Sequence, residues 1–119
     1  MKKHLVILLP LLLAQSETEI VKEQVSVSRH FAGYRVEAQL WDRTRVDLLG
    51  DYAVEVDWAP KWAEGIGQAL YYSLVTGKPP GVVLLMKKGD ERFVYRCQAV
   101  CAANDIRLWV WDADKEVLR

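Results

Sequence analysis

The sequence is poor in the residues that build most metal and redox sites, with two cysteines and two histidines in 119 positions. Cys97 and Cys101 lie four apart in a stretch with helical periodicity. Side chains at that spacing hold their β-carbons about 5–6 Å apart, whereas a disulfide needs about 3.5–4.5 Å. The spacing argues against an internal bridge and for two small core residues. With the N-terminal segment and its His4 removed, only His30 would remain, and a zinc site on this pair lacks obvious partners. Net charge is zero, so there is no broad basic field to hold a nucleic-acid backbone. No serine occupies a nucleophile-elbow sequence, which removes support for a serine triad. No glycine loop cradles phosphate either. Gly65-x-Gly67 falls inside a helical stretch, where glycine serves close helix–sheet packing. Repeats, low-complexity tracts and internal linkers are absent.

Long hydrophobic runs are lacking too. The N-terminal run Leu5 to Leu13 is interrupted by Pro10 and falls short of the roughly 20 residues that span a bilayer. Lys2, Lys3 and His4 precede it, and Ala14-Gln15-Ser16 follows as a small-x-small junction, so residues 1–16 read as a signal peptide. Export to the periplasm or the medium is the expectation, with residues 17–119 as a single domain and no membrane association after cleavage. Cleavage would remove Lys2 and Lys3 and leave the domain slightly acidic. The competing reading is a cytoplasmic protein whose first segment is a buried strand or helix.

What is present is a balanced globular composition, 51% hydrophobic and 27% charged, enough for one modest core. Ser16 with Glu19 matches a capping box, and Ile20, Val27 and Phe31 mark an apolar stripe, predicting a first helix over residues 16–30. Tyr34 to Leu40 alternates as a strand, Thr44 to Leu49 and Ala53 to Trp58 form two more, and Pro60 opens a helix reaching about Val75. Its expected apolar face is Trp62, Ile66, Ala69, Leu70 and Leu74. After the stop at Gly77-Lys78-Pro79-Pro80-Gly81, the run Val82 to Met86 reads as a central strand buried on both faces. Asp90 to Ala103 reads as an amphipathic helix and Ile106 to Trp111 as a last strand. On that strand Trp109 and Trp111 share a face, expected to pack beneath a helix rather than to stack bases. The order α-β-β-β-α-β-α-β defines a three-layer α/β domain around a mixed sheet.

Three carboxylates stand where strands would otherwise take apolar residues: Asp47, Glu55 and Asp57. A two-residue turn at Gly50-Asp51 would set Asp47 opposite Val54. A three-residue loop, Gly50-Asp51-Tyr52, sets 49 against 53, 47 against 55 and 45 against 57. The longer loop also gathers Val46, Leu48, Val54 and Val56 on one apolar face, which favours it. Facing carboxylates repel, so a cation, a nearby basic residue or a raised pKa must compensate. Mg²⁺ takes one or two carboxylates and keeps several waters. The plain alternative is a solvated sheet face, with Arg45 paired to Asp57 across the strands.

At these residues the chain resembles the PD-(D/E)XK nuclease superfamily, with its restriction-endonuclease-like αβββαβ core, here extended by a C-terminal α-β unit. The resemblance rests on Asp47 in strand two, Glu55-Val56-Asp57 in strand three, and Gln68-Ala69-Leu70-Tyr71-Tyr72 in the next helix, similar to the QxxxY motif of one branch. It covers roughly Ser16 to Met86 and extends to small exported bacterial proteins with a similar EVD…KWAEGIGQALYY run. It implies Mg²⁺ or Mn²⁺ held by Asp47, Glu55 and the backbone carbonyl of Val56, with Asp57 as a further candidate ligand. Gln68 and Tyr72 would steady the site or the substrate phosphate. An additional acid would come from Glu19, Glu23 or Glu37. The departure is Asp57, where the family carries the lysine that positions the attacking water and offsets negative charge. Lys61 is the substitute, since Lys61, Gln68 and Tyr72 share a helix face and the family's lysine is known to migrate to this helix. Two functions follow: a metal-dependent nuclease acting on nucleic acid, or an inactive domain of the same fold that binds a protein partner.

Overall fold

A computed structural model describes residues 19–119; the signal-peptide reading and the Ser16 cap lie outside the described residues. The chain forms an α/β fold with one six-stranded mixed sheet and, among the described residues, three α-helices. The described part of α1 covers residues 19–28. Then follow β1 (Arg35–Gln39), β2 (Arg45–Leu49), β3 (Ala53–Trp58), a 3₁₀ turn (Ala59–Lys61) and α2 (Trp62–Thr76). The chain continues through β4 (Pro80–Met86), α3 (Glu91–Ala103), β5 (Arg107–Asp112) and β6 (Val117–Leu118). Strands lie in sequence order across the sheet, with β3, β4 and β5 mutually parallel and the remaining pairs antiparallel. The two-residue β6 has no counterpart in the sequence reading, because its charged flanks hide the alternation.

Two cores sandwich the sheet. On one face Val27 of α1 and Phe31 just after it meet Leu48, Val54, Val56, Val83, Leu85 and Trp111. On the other, Ile66 and Ala69 of α2 and Cys97 and Cys101 of α3 meet Val82, Leu84 and Ile106. The strand β4 supplies both, which is why Val82 to Met86 is apolar without alternation. The thiols are free and 3.7 Å apart, as the helical spacing requires. Trp109 packs edge-on against Phe31 and Tyr52, and Trp111 is buried with its Nε1–H donated to Glu23. Both indoles are therefore packing groups. Gly81 is a point of close approach: a methyl there would lie 2.8 Å from the Trp109 ring and 3.1 Å from Val54. On a central strand neither neighbour can retreat. Gly81→Ala should cost about 1–3 kcal/mol, measured as a lower denaturant midpoint with an unchanged slope.

Three expectations need correction. The apolar face of α2 is Gly65, Ile66, Ala69 and Tyr72, while Leu70 is exposed and Leu74 is 82% exposed. Gly65 lies on this contact line, facing Asp57 and Val82, and Leu70 and Leu74 point away from it. Val46 leaves the apolar set predicted for it and packs with Ala53 and Tyr72. Arg45 does not meet Asp57; its guanidinium lies 3.5 Å from Glu37. The last two share a cause at Asp47, where both neighbouring ladders are interrupted.

Candidate functional site

The loop Gly50–Tyr52 has three residues, and Leu49 pairs with Ala53 and Leu48 with Val54. There the β2–β3 ladder stops. Asp47 takes over: its Oδ2 accepts the Val56 N–H at 2.8 Å, and its own N–H points at Glu55 Oε1, 3.4 Å away. On the other side β1 pairs Val36 with Leu48 and Ala38 with Val46, skipping Glu37 and Asp47. Glu37 there adopts φ +54°, a left-handed conformation uncommon for a residue with a side chain. The sheet therefore opens locally around Asp47.

Glu55 and Asp57 are buried in this opening, 6% and 8% exposed. Asp57 Oδ1 accepts the Trp58 N–H at 2.9 Å. Each of the three carboxylates is thus aimed by one backbone N–H, and Asp47 and Glu55 also share a side-chain hydrogen bond. Among the described residues no fully buried polar side-chain atom is left unpaired. Gly65 of α2 faces Asp57 at contact distance and leaves that approach clear.

The electrostatics follow from burial. Desolvation pushes the Glu55 carboxyl far up, and the Asp47 charge adds to it. Asp47 is also raised by burial, against the stabilising Val56 N–H, with the charges of Glu37 and Asp57 adding to the rise. Asp57 is pushed up to about 6, again by burial, opposed by the Trp58 N–H and by Lys61. Carboxyls with raised folded-state pKa values bind protons more tightly folded than unfolded, so stability is highest in acid and falls as pH rises. Without divalent metal, the melting temperature should decline from about pH 4 through 6 and onward as Glu55 is forced to ionise, measured calorimetrically in chelator.

The remaining predicted residues are placed unevenly. Tyr72 is buried, packed with Val46 and Ala53, and its hydroxyl is raised by burial and then by the charges of Glu55, Asp47 and Asp42. Gln68 is exposed one turn before it. Lys61 is exposed, and its charge acts on Asp57. Glu23 is engaged with Trp111 on the α1 face, and Glu19 lies 3.6 Å from Lys87. Sequence reasoning missed Asp42, which accepts the Thr44 N–H at 3.0 Å and Thr44 Oγ1 at 2.5 Å and also takes the Tyr71 hydroxyl. The Asp-x-Thr spacing at a turn was the available signal.

Among the described residues no three His, Cys, Asp or Glu side chains converge as a ready-made metal cluster. The donor set is smaller: Asp47, Glu55 and the Val56 carbonyl, which leaves its strand on the same edge as the Val56 N–H and so faces Asp47. Two carboxylates plus a carbonyl, with room for water, suit Mg²⁺ or Mn²⁺ and not the four-ligand cage of structural zinc. Comparison with family models, curated proteins and solved structures finds no match to this chain.

Proposed function

We propose that this chain is a Mg²⁺- or Mn²⁺-dependent phosphodiesterase acting on nucleic acid, built on the PD-(D/E)XK plan. The observation that carries this reading is the Asp47–Glu55 pair: two largely buried carboxylates, each aimed by a backbone N–H, with neither in a salt bridge among the described residues. A fold keeps so unfavourable a pair where function requires it. The strand order β1 to β5 with β2 antiparallel to its neighbours, the hairpin carrying both acids and the helix laid across it support the restriction-endonuclease-like assignment. A divalent ion bound there would polarise the phosphodiester and activate water. Asp47 and Glu55 would hold and orient the ion, and Gln68, exposed one turn before Tyr72, would donate its amide to a phosphate oxygen. Tyr72 remains protonated. Lys61, beside Asp57, supplies the positive charge that the motif lysine would bring. Export through the N-terminal segment belongs to the same proposal and would make this a nutrient, defence or toxin enzyme.

One observation favours a second reading. Asp57 puts a buried acid where the motif has a lysine, which suits a domain of this fold that has kept the outline and binds a partner without cleaving it. The deciding experiment incubates the full chain with single- and double-stranded DNA and RNA, in Mg²⁺, in Mn²⁺ and in chelator. Metal-dependent scission is expected, with a metal-dependent rise in melting temperature. Neither appearing would sink the nuclease reading.

A further inference from the structure

With Trp109 and Trp111 committed to packing, the tryptophan left open is Trp41, 84% exposed on the turn between β1 and β2. That turn is fastened in place. Asp42 binds Thr44 within the turn and Tyr71 on α2, and Arg43 is held at φ +73°. A strained backbone maintained by specific ties is a marker of a functional surface. The turn also borders the acid pair: Leu40, which precedes Trp41, packs with Val46 and Tyr72, Asp42 is tied to Tyr71, and Val46 is the chain neighbour of Asp47. Arg43 and Arg45 are exposed beside it, Arg45 with its guanidinium 3.5 Å from Glu37.

We propose that Trp41 stacks on an unpaired base of a single-stranded nucleic acid whose phosphate lies at the Asp47–Glu55 pair, with Arg43 and Arg45 contacting the flanking phosphates. The inference rests on the phosphodiesterase reading of that pair and adds the substrate class. A single strand is specified because an exposed indole needs an open base face, which a duplex hides within its stack. Two arginines suffice to track a short stretch of backbone, whereas a duplex is gathered by a broad basic surface that this chain lacks.

The test separates binding from cleavage. Full-length Glu55→Gln protein, in chelator and low salt, is titrated into fluorescein-labelled oligothymidylate and oligouridylate of about 15 nucleotides and into a duplex of the same length. Fluorescence anisotropy should show tighter binding to at least one single strand than to the duplex. Trp41→Ala should weaken it about 5- to 100-fold, the range of one stacked base. Trp41→Phe should retain most of the affinity, and the melting temperature of both variants should match the parent because the ring is outside the core. Equal affinity after Trp41→Ala, preference for duplex, or no oligonucleotide binding would overturn the proposal. So would a variant that changes only the sedimentation behaviour, which would assign the ring to contact with a second copy. Trp41-dependent binding without metal-dependent scission would leave this inference standing and remove the nuclease reading. Scission indifferent to Trp41 would do the reverse.

Discussion

Glu55→Gln should abolish metal-dependent scission and the metal-dependent rise in melting temperature together, while the metal-free protein melts no lower than the parent. The amide is nearly isosteric, so its oxygen can still accept the Asp47 N–H that Glu55 Oε1 faces at 3.4 Å. Its NH₂ can donate to the Asp47 carboxylate, replacing the proton that burial forces the pair to keep. Cation affinity has no such substitute, because one of two charged donors is gone. A ligand at a hundred times its Kd stabilises the folded state by about 2.7 kcal/mol, and that increment should vanish. Activity should fall by about a hundredfold or more, the scale seen when one electrostatic contact to a transition state is removed. Scanning calorimetry with and without metal, beside a scission assay, reads all three. A variant that kept the metal response would show that Glu55 is not a ligand.

Asp57→Asn should stabilise the protein at alkaline pH and hardly at all in acid. Burial carries the Asp57 carboxyl from 3.8 to about 6, so above that range the folded state holds a desolvated charge that the unfolded chain holds freely in water. At about 1.36 kcal/mol per pH unit the shift sets a ceiling that solvent screening lowers, so removing the charge should be worth about 1 kcal/mol at pH 8, vanishing below pH 4 where both states bind the proton. Asparagine keeps an oxygen for the Trp58 N–H, so the local fold is preserved. Urea titrations at the two pH values give the comparison. A loss of stability at pH 8 would mean that the Lys61 charge outweighs the burial of Asp57. If scission falls as stability rises, Asp57 belongs to the working site, the exchange expected where function holds an unfavourable group in place.

Much of the architecture was legible because it rests on local rules. The loop length followed from counting which turn keeps Val46, Leu48, Val54 and Val56 on one side; the structure has that loop and the 49–53 pair, but not the 47–55 and 45–57 pairs or Val46 in that set. The double-sided burial of β4 followed from its unbroken apolar run. The interruption at Asp47 was not legible, because a carboxylate standing in for a ladder carbonyl leaves no mark on alternation. It moved Val46 to the Tyr72 side and left Arg45 to Glu37. The apolar face of α2 was misread for a related reason. Leucines weigh heavily in a periodicity count and glycine not at all, yet Gly65 is on the side of the helix that touches the sheet and Leu74 is not. The site residues were named from spacing and resemblance; the Asp42–Tyr71 tie, bridging 29 positions, lay beyond either.

The substitution of a side chain for a ladder carbonyl gives the site its own isotope-exchange probe. The Val56 amide sits in the middle of a six-stranded sheet, yet its acceptor is the Asp47 carboxylate. Its deuterium uptake therefore follows the charge and position of that carboxylate, while the amides of β4 follow global opening. A cation drawn to Asp47 would change the Val56 rate and leave the slowest β4 amides tracking only the gain in overall stability. One backbone proton at the centre of the fold thus reports occupancy of the site without any substrate.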